Sequence, residues 1–308
     1  MIRRLGRRDA AYPPLLLEIH DPPSSLYVRG EADLSLLERP AVAIVGARAC
    51  SPYGAQVARL LGREVAGAGL VVLSGLARGI DGEAHRGALD AGGVTVAVLG
   101  CGIDRDYPAA HAQLARRICE RGFVVSEYEP GVEPAPWRFP ARNRIISGLA
   151  AATVVVEARE KSGALITADF ALEQNRVVFA VPGEITSSLS AGTNRLIREG
   201  AAPLTSVQDV LDELGVSPPA APAASFGAEA GSLLARLAER PWTADELGMS
   251  TGLGAAELAV ALAELELGGA AVESNGVYRA SASSVARDAA SAGDPPRSRG
   301  RRFSPDRP

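Results

Sequence analysis

Cysteine, histidine and lysine are all scarce in this chain, and each scarcity removes a class of function. The 308 residues hold three cysteines, Cys50, Cys101 and Cys119, at wide spacing without a CxxC pair, and only three histidines. An odd number of scattered thiols argues against a disulfide framework, and the paired ligands of a structural zinc site are missing. The cysteines read as small buried hydrophobes, and no metal site is expected. No stretch reaches 18 apolar residues, and the basic opening MIRRLGRRDA has no apolar signal core behind it, so a cytoplasmic chain without membrane contact is expected. The first strand-to-helix turn lacks the G-x-G-x-x-G spacing of dinucleotide folds. The sole lysine, Lys161, lacks the G-x-x-x-x-G-K-[ST] context of an ATP-hydrolysing loop. No cofactor is expected.

A surplus of positive charge is also lacking. The net charge is −4, and because the segment Ser281 to Pro308 carries six arginines against three aspartates, the rest of the chain stands at −7. Any nucleic-acid site must be a local basic patch on an acidic body. Of 32 basic residues only Lys161 is lysine. Where a generic cation suffices the chain uses arginine, so a lone lysine marks either a place that wants a compact ammonium, such as a phosphate contact, or an accident of composition.

What is present is an alternation. After a proline-rich, irregular lead-in over residues 1–40 that packs on the main domain, the apolar runs AVAIVG, LVVLSG, VTVAVLG, FVVSE, ATVVVEA and VVFAVPG recur through residues 41–215, separated by helix-length stretches. Strands apolar on both faces alternating with helices predict an α/β fold, a doubly wound, Rossmann-like and mostly parallel sheet. Residues 216–228 read as a proline and alanine linker. Residues 229–281 hold three helical patterns and a hairpin around Asn275-Gly276, a small winged-helix domain. Residues 282–308 form a basic tail with little to bury, expected to be disordered. The winged helix carries eight acids against three arginines, and its would-be recognition helix bears Glu257, Glu264 and Glu266 without a base. That balance opposes duplex binding and favours a protein partner or packing on the main domain.

In such sheets ligands bind beyond the carboxyl ends of the strands. Gly46 ends the first run, and the free N–H groups of the helix that follows, with Arg48, form an expected anion site; the bland alternative is a tight turn with Arg48 in a surface ion pair. The segment LSGLARGIDGEAH places Asp81 as a helix cap and His85 one turn inside. WRFPARNRIISG sets Arg138, Arg142 and Arg144 among Trp137, Phe139 and Asn143 with no acid between them. Cations for phosphates and flat rings for bases are what a single strand requires, although a basic helix start over buried aromatics has the same composition. Lys161, Ser162, Gly163 and Thr167 follow a strand at a helix start and form a credible phosphate cradle.

In order, IVGARACSPYG, SGLARGIDGEAH, FPARNRIISGLA, VVEAREKSGALITA and VPGEITSSLSAGTNRLI resemble the DNA-processing protein A family, DprA or Smf. The resemblance covers most of Tyr12 to Ala280. It implies a non-catalytic single-stranded DNA-binding protein, a homodimer, that protects incoming DNA and loads the RecA recombinase in natural transformation. By that resemblance the DNA contacts are Arg48, Phe139, Arg142, Asn143, Arg144 and Lys161. Two other readings compete with it. One is a phosphoribohydrolase acting on nucleoside monophosphates, whose PGGxGTxxE spacing this chain lacks; the other is a transcriptional reader using the winged helix, which the acidic balance opposes.

Overall fold

The first forty residues are not irregular throughout. They contribute two strands, β1 (Ile2–Gly6) and β2 (Ser25–Arg29), and a short helix α1 (Pro14–Leu17). The two strands pair with each other antiparallel, and Tyr12, Leu16 and Leu26 are buried. A computed structural model describes residues 1–217, 226–274 and 276–280, in two units, Met1–Pro219 and Ala220–Pro308. The expected tail, most of the expected linker and Asn275 of the expected hairpin turn lie outside the described residues.

The six apolar runs form strands β3 (Ala41–Val45), β4 (Val71–Ser74), β5 (Thr95–Leu99), β6 (Phe123–Ser126), β7 (Ala152–Val155) and β8 (Val177–Ala180), and a two-residue strand β9 (Ala202–Pro203) is added at the edge. The sheet order is β1-β2-β6-β5-β4-β3-β7-β8-β9. From β6 to β9 every pairing is parallel, and β2 joins β6 antiparallel. The doubly wound α/β fold expected from the alternation is the one observed.

Both faces of β3 are covered. Ala41, Ala43 and Val45 enter one apolar cluster, with Ile145, Ile146, Leu165 and Ala168 of the helices below. Val42 and Ile44 enter another, with Ala58, Leu61, Val65, Ile80 and Ala84. Two-sided burial is why this strand reads as a continuous apolar run and not as an alternation. The helices are α2 (Pro52–Gly67), α3 (Ile80–Asp90), α4 (Ala112–Arg121), α5 (Arg138–Gly148), α6 (Gly163–Glu173), α7 (Ala191–Arg198) and α8 (Val207–Leu214). Helices α2 and α3 cross where neither has a side chain: a Cβ on Gly62 would lie 2.2 Å from the Ala84 carbonyl oxygen, and one on Gly87 would lie 2.0 Å from that of Arg59. Of the three cysteines, expected inside, only Cys101 is fully buried; Cys50 and Cys119 are half-buried.

The chain runs β3, β4, β5, β6 in one direction and then returns to lay β7 on the other side of β3. This reversal is the topological switch point, where loops from β3 and β7 diverge and leave a crevice at the carboxyl edge.

The second unit contains α9 (Ala228–Glu239), β10 (Trp242–Thr243), α10 (Ala244–Thr251), α11 (Ala255–Leu267), β11 (Ala271–Ser274) and β12 (Val277–Ala280), with antiparallel order β10-β12-β11. Leu233, Leu237, Leu247, Leu258, Leu262 and Leu265 make its core. Two of the three acids on α11 have structural partners: Glu257 accepts from the Gly254 N–H and Glu264 from the Gly227 N–H.

Candidate functional site

The turn after β3 sits at the switch point, and it already contains an anion. Ser51 caps α2, its hydroxyl accepting from the Gly54 N–H. Glu157, which follows β7, lays its carboxylate on the same helix end, accepting from the Ser51 N–H at 2.9 Å and from the Ser51 hydroxyl. It is 4% exposed, so the positive end of α2 is occupied by the protein's own charge. This corrects the expectation of a free anion site at that helix. Glycine is required here: a Cβ on Gly54 would fall 2.4 Å from the Glu157 carboxyl carbon, and one on Gly46 would fall 2.6 Å from Ile80. Gly46 lets the turn close against α3, and Arg48 beyond it is thrown outward to solvent.

Beside that turn lies a cavity of about 240 Å³ lined by Gly46, Arg48, Asp81, Phe139, Pro140, Arg142, Asn143, Ser162, Gly163 and Thr167, among others. Eight of the ten sequence-predicted site residues meet here from three separate stretches of chain. Ser162 caps α6, its hydroxyl accepting from the Ala164 N–H. Asn143 donates from Nδ2 to the Gly163 carbonyl at 3.0 Å and so ties α5 to the start of α6. Lys161 is exposed one residue before that cap and does not line the cavity wall.

Arg144 is placed elsewhere. Its guanidinium forms a two-pronged pair with Glu127, at 2.8 and 3.0 Å, and reaches Asp21 at 3.2 Å. With 13% of its side chain exposed, it fastens the amino-terminal segment to α5. The reason lies in helix geometry, since Arg142 and Arg144 are about 200° apart around α5 and cannot both face one cavity.

Arg142 is buried, with 5% exposure. Its Nη1 donates to the Gly75 carbonyl at 2.8 Å and to the Val98 carbonyl, joining the ends of β4 and β5, and its Nε donates to Asn143. Burial lowers its pKa to about 10, partly opposed by nearby Asp81, so it stays charged at neutral pH. Asp81, expected as the cap of α3, is not that cap; Gly79, with φ of 75°, holds the position. The Asp81 carboxylate instead accepts from the N–H groups of Gly75 and Ala77, organising the loop after β4. Burial raises its pKa and the Arg142 charge pulls it back. His85 is fully buried, its Nδ1 2.7 Å from the Thr95 hydroxyl, which itself donates to the Val72 carbonyl. Burial drives the His85 pKa down to about 3.

A second cavity, of about 350 Å³, opens on the other side of Arg48 and Phe139 and is lined by Gly75, Ala77, Arg78, Gly100, Tyr107, Pro108 and Arg142. The Phe139 ring is the shared wall. Tyr107 stacks on it with centroids 5.2 Å apart and planes at 30°, and the Arg48 guanidinium lies 5.5 Å from its centre. Arg78 and Tyr107 were not among the residues predicted for the site. Both lie within the strand-end windows that the alternation marks, Gly75 to Asp81 and Gly100 to Tyr107, but neither had a neighbouring motif to single it out. Arg48, Arg78 and Lys161 are exposed and make no ion pair among the described residues. Asp81 is the one carboxylate lining either cavity among the described residues.

Comparison with known proteins shows the family. Residues 3–215 match the family model of DNA recombination-mediator protein A, and residues 217–276 match that of the DprA winged helix domain. The chain is 48% identical over 205 residues to the DNA processing protein DprA of Streptococcus pneumoniae, covering 67% of this chain and 72% of that protein. It is 42% identical over 270 residues to protein Smf of Escherichia coli, covering 84% and 72% respectively. The X-ray structure of the S. pneumoniae protein superposes with a TM-score of 0.66 at 47% identity, over 69% of this chain and 74% of that one. A Helicobacter pylori DNA processing protein A structure, which concerns that protein's single-stranded DNA binding mode, gives 0.62 at 31% identity, over 70% and 95%. With the strand-end cavities and the winged helix both in place, the chain belongs to the DNA recombination-mediator protein A family.

Proposed function

We propose that this chain binds single-stranded DNA along the carboxyl ends of its parallel strands. The observation that carries the reading is the Arg48–Phe139–Tyr107 stack between two cavities, with Arg78 lining one of them and Lys161 next to Ser162 of the other, all three cations exposed and without an ion pair among the described residues. Phosphates need mobile, exposed cations, and bases need flat rings with a free approach. Gly46, Asn143, Ser162, Gly163 and Thr167 shape the cradle, while Arg142 holds the loops that form it and contributes its charge from behind. Arg144 belongs to the support of α5. The Helicobacter pylori relative, whose structure concerns single-stranded DNA binding, supports the same reading.

The proposed activity is binding without catalysis. The Asp81 carboxylate is already engaged by the N–H groups of Gly75 and Ala77, which leaves it poorly placed as a general acid or base. The fuller proposal follows the family: a cytoplasmic homodimer that protects incoming DNA and hands it to the RecA recombinase. Titration of labelled oligothymidylate against the parent and an Arg48→Ala, Lys161→Ala double variant tests the site. Affinity unchanged by the double substitution would overturn it.

A further inference from the structure

Trp137, the residue preceding α5, is 63% exposed, and its ring is held in place. The Arg138 guanidinium lies 4.8 Å from the Trp137 ring and 5.0 Å from the Tyr128 ring, and its Nη1 donates to the Glu133 carbonyl. One cation anchored to the backbone therefore fixes a large ring while leaving much of it open to solvent. Tyr128 follows β6, and β6 neighbours β5, which neighbours β4, β3 and β7 in turn. The Tyr128, Arg138, Trp137 group thus stands next in line to the Tyr107, Phe139, Arg48 group, with Ser162 at the β7 end. At about 4.8 Å per strand the five ends span about 19 Å.

We propose that Trp137 is a base-stacking platform for a nucleotide lying outside the cavities, at the β6 end of the same groove. The proposal rests on the single-strand reading of the site and lengthens it. Its occupant is a nucleobase because the platform continues a row of cations and rings, and an aromatic face accepts any base.

The test uses the full chain carrying Trp242→Phe, which leaves Trp137 as the only tryptophan of the two in the sequence. Binding of a labelled thymidine dodecamer is followed by anisotropy, and Trp137 emission is followed in parallel. The expected result is quenching that saturates with binding. Trp137→Ala should weaken the dodecamer roughly 5- to 150-fold, the range for losing one stacked base, whereas Trp137→Phe retains most of the affinity. A thymidine dinucleotide, confined to the cavities, should bind the parent and Trp137→Ala equally, which a merely structural role for the ring would not produce. Saturable anisotropy with no quenching and no effect of Trp137→Ala overturns the platform and leaves the single-strand reading standing. Emission that depends on protein concentration without DNA also overturns it, by assigning the ring to contact with a second copy. Absence of any oligonucleotide binding overturns both.

Discussion

The salt dependence of binding can be worked from the groove itself. Arg48 and Arg78 line it, Lys161 adjoins it beside Ser162, and all three are exposed and make no ion pair among the described residues; Arg159, exposed in the same loop as Lys161, is unchanged in the variants below. Each phosphate that such a cation neutralises releases condensed counterions, and for a single strand each contributes about −0.7 to the slope of log K against log salt. Three contacts therefore contribute a slope of about −2, and between 50 and 200 mM salt the affinity should fall about 20-fold. The Arg48→Ala, Lys161→Ala variant retains one contact, a slope of about −0.7, and a loss of only about 2.5-fold over the same range. Any contribution from the six arginines after residue 280 is common to both proteins, so the difference in slope, about 1.4, is the diagnostic quantity. Removing Arg48 also removes its contact with Phe139, which changes affinity at every salt concentration but not the slope. A Lys161→Ala single variant separates the two effects. Fluorescence titrations of oligothymidylate at four or more salt concentrations measure the slopes. Equal slopes for parent and double variant would refute the assignment of these cations to phosphates.

Removing the carboxylate that holds the Ser51 cap of α2 should cost stability. Glu157→Ala leaves the Ser51 N–H and hydroxyl without their buried partner, and a loss of about 3 kcal/mol, on the order of 10 °C in Tm, is expected by urea and thermal unfolding. Arg144→Ala should lower the urea midpoint while leaving oligonucleotide affinity little changed, because its charge is already matched by Glu127 and Asp21; a large loss of affinity in a stably folded variant would return Arg144 to the binding surface. His85 sets a pH dependence. Its folded pKa, about 3, lies below the ordinary value near 6.5, so the folded state stays neutral while the unfolded chain takes up a proton as pH falls. Stability from this group is complete above pH 6.5 and is lost progressively down to pH 3. By pH 5 the loss is about 2 kcal/mol, and His85→Gln should reduce the difference in unfolding free energy between pH 7.5 and pH 5 by that amount.

How much of this was legible without the fold depends on the range over which each interaction acts. The six main strands could be read because burial on both faces leaves uninterrupted apolar runs such as Ala41–Val45, a property of neighbouring residues in the chain. Strands β1 and β2 could not, since Ile2–Gly6 and Ser25–Arg29 are mixed in character and become strands by β2 pairing with both β1 and β6. The strand-end rule brought eight predicted residues to one cavity and carried no information about which cations remain free there.

The sequence by itself determined the α/β alternation, the winged helix that follows it, and the residue types suited to a single strand: arginines among aromatics and one lysine. Tertiary structure decided what each of those charges does. Glu157, 106 residues from Ser51, neutralises the helix end that looked ready for a phosphate. Glu127 and Asp21 take Arg144, and the carbonyls of Gly75 and Val98 take Arg142. Tyr107 reaches Phe139 across 32 residues to build the stacking wall. The physical reason is one of range: burial and periodicity are written in local order along the chain, whereas the partner of a charge or a ring is whatever the fold brings within a few ångströms.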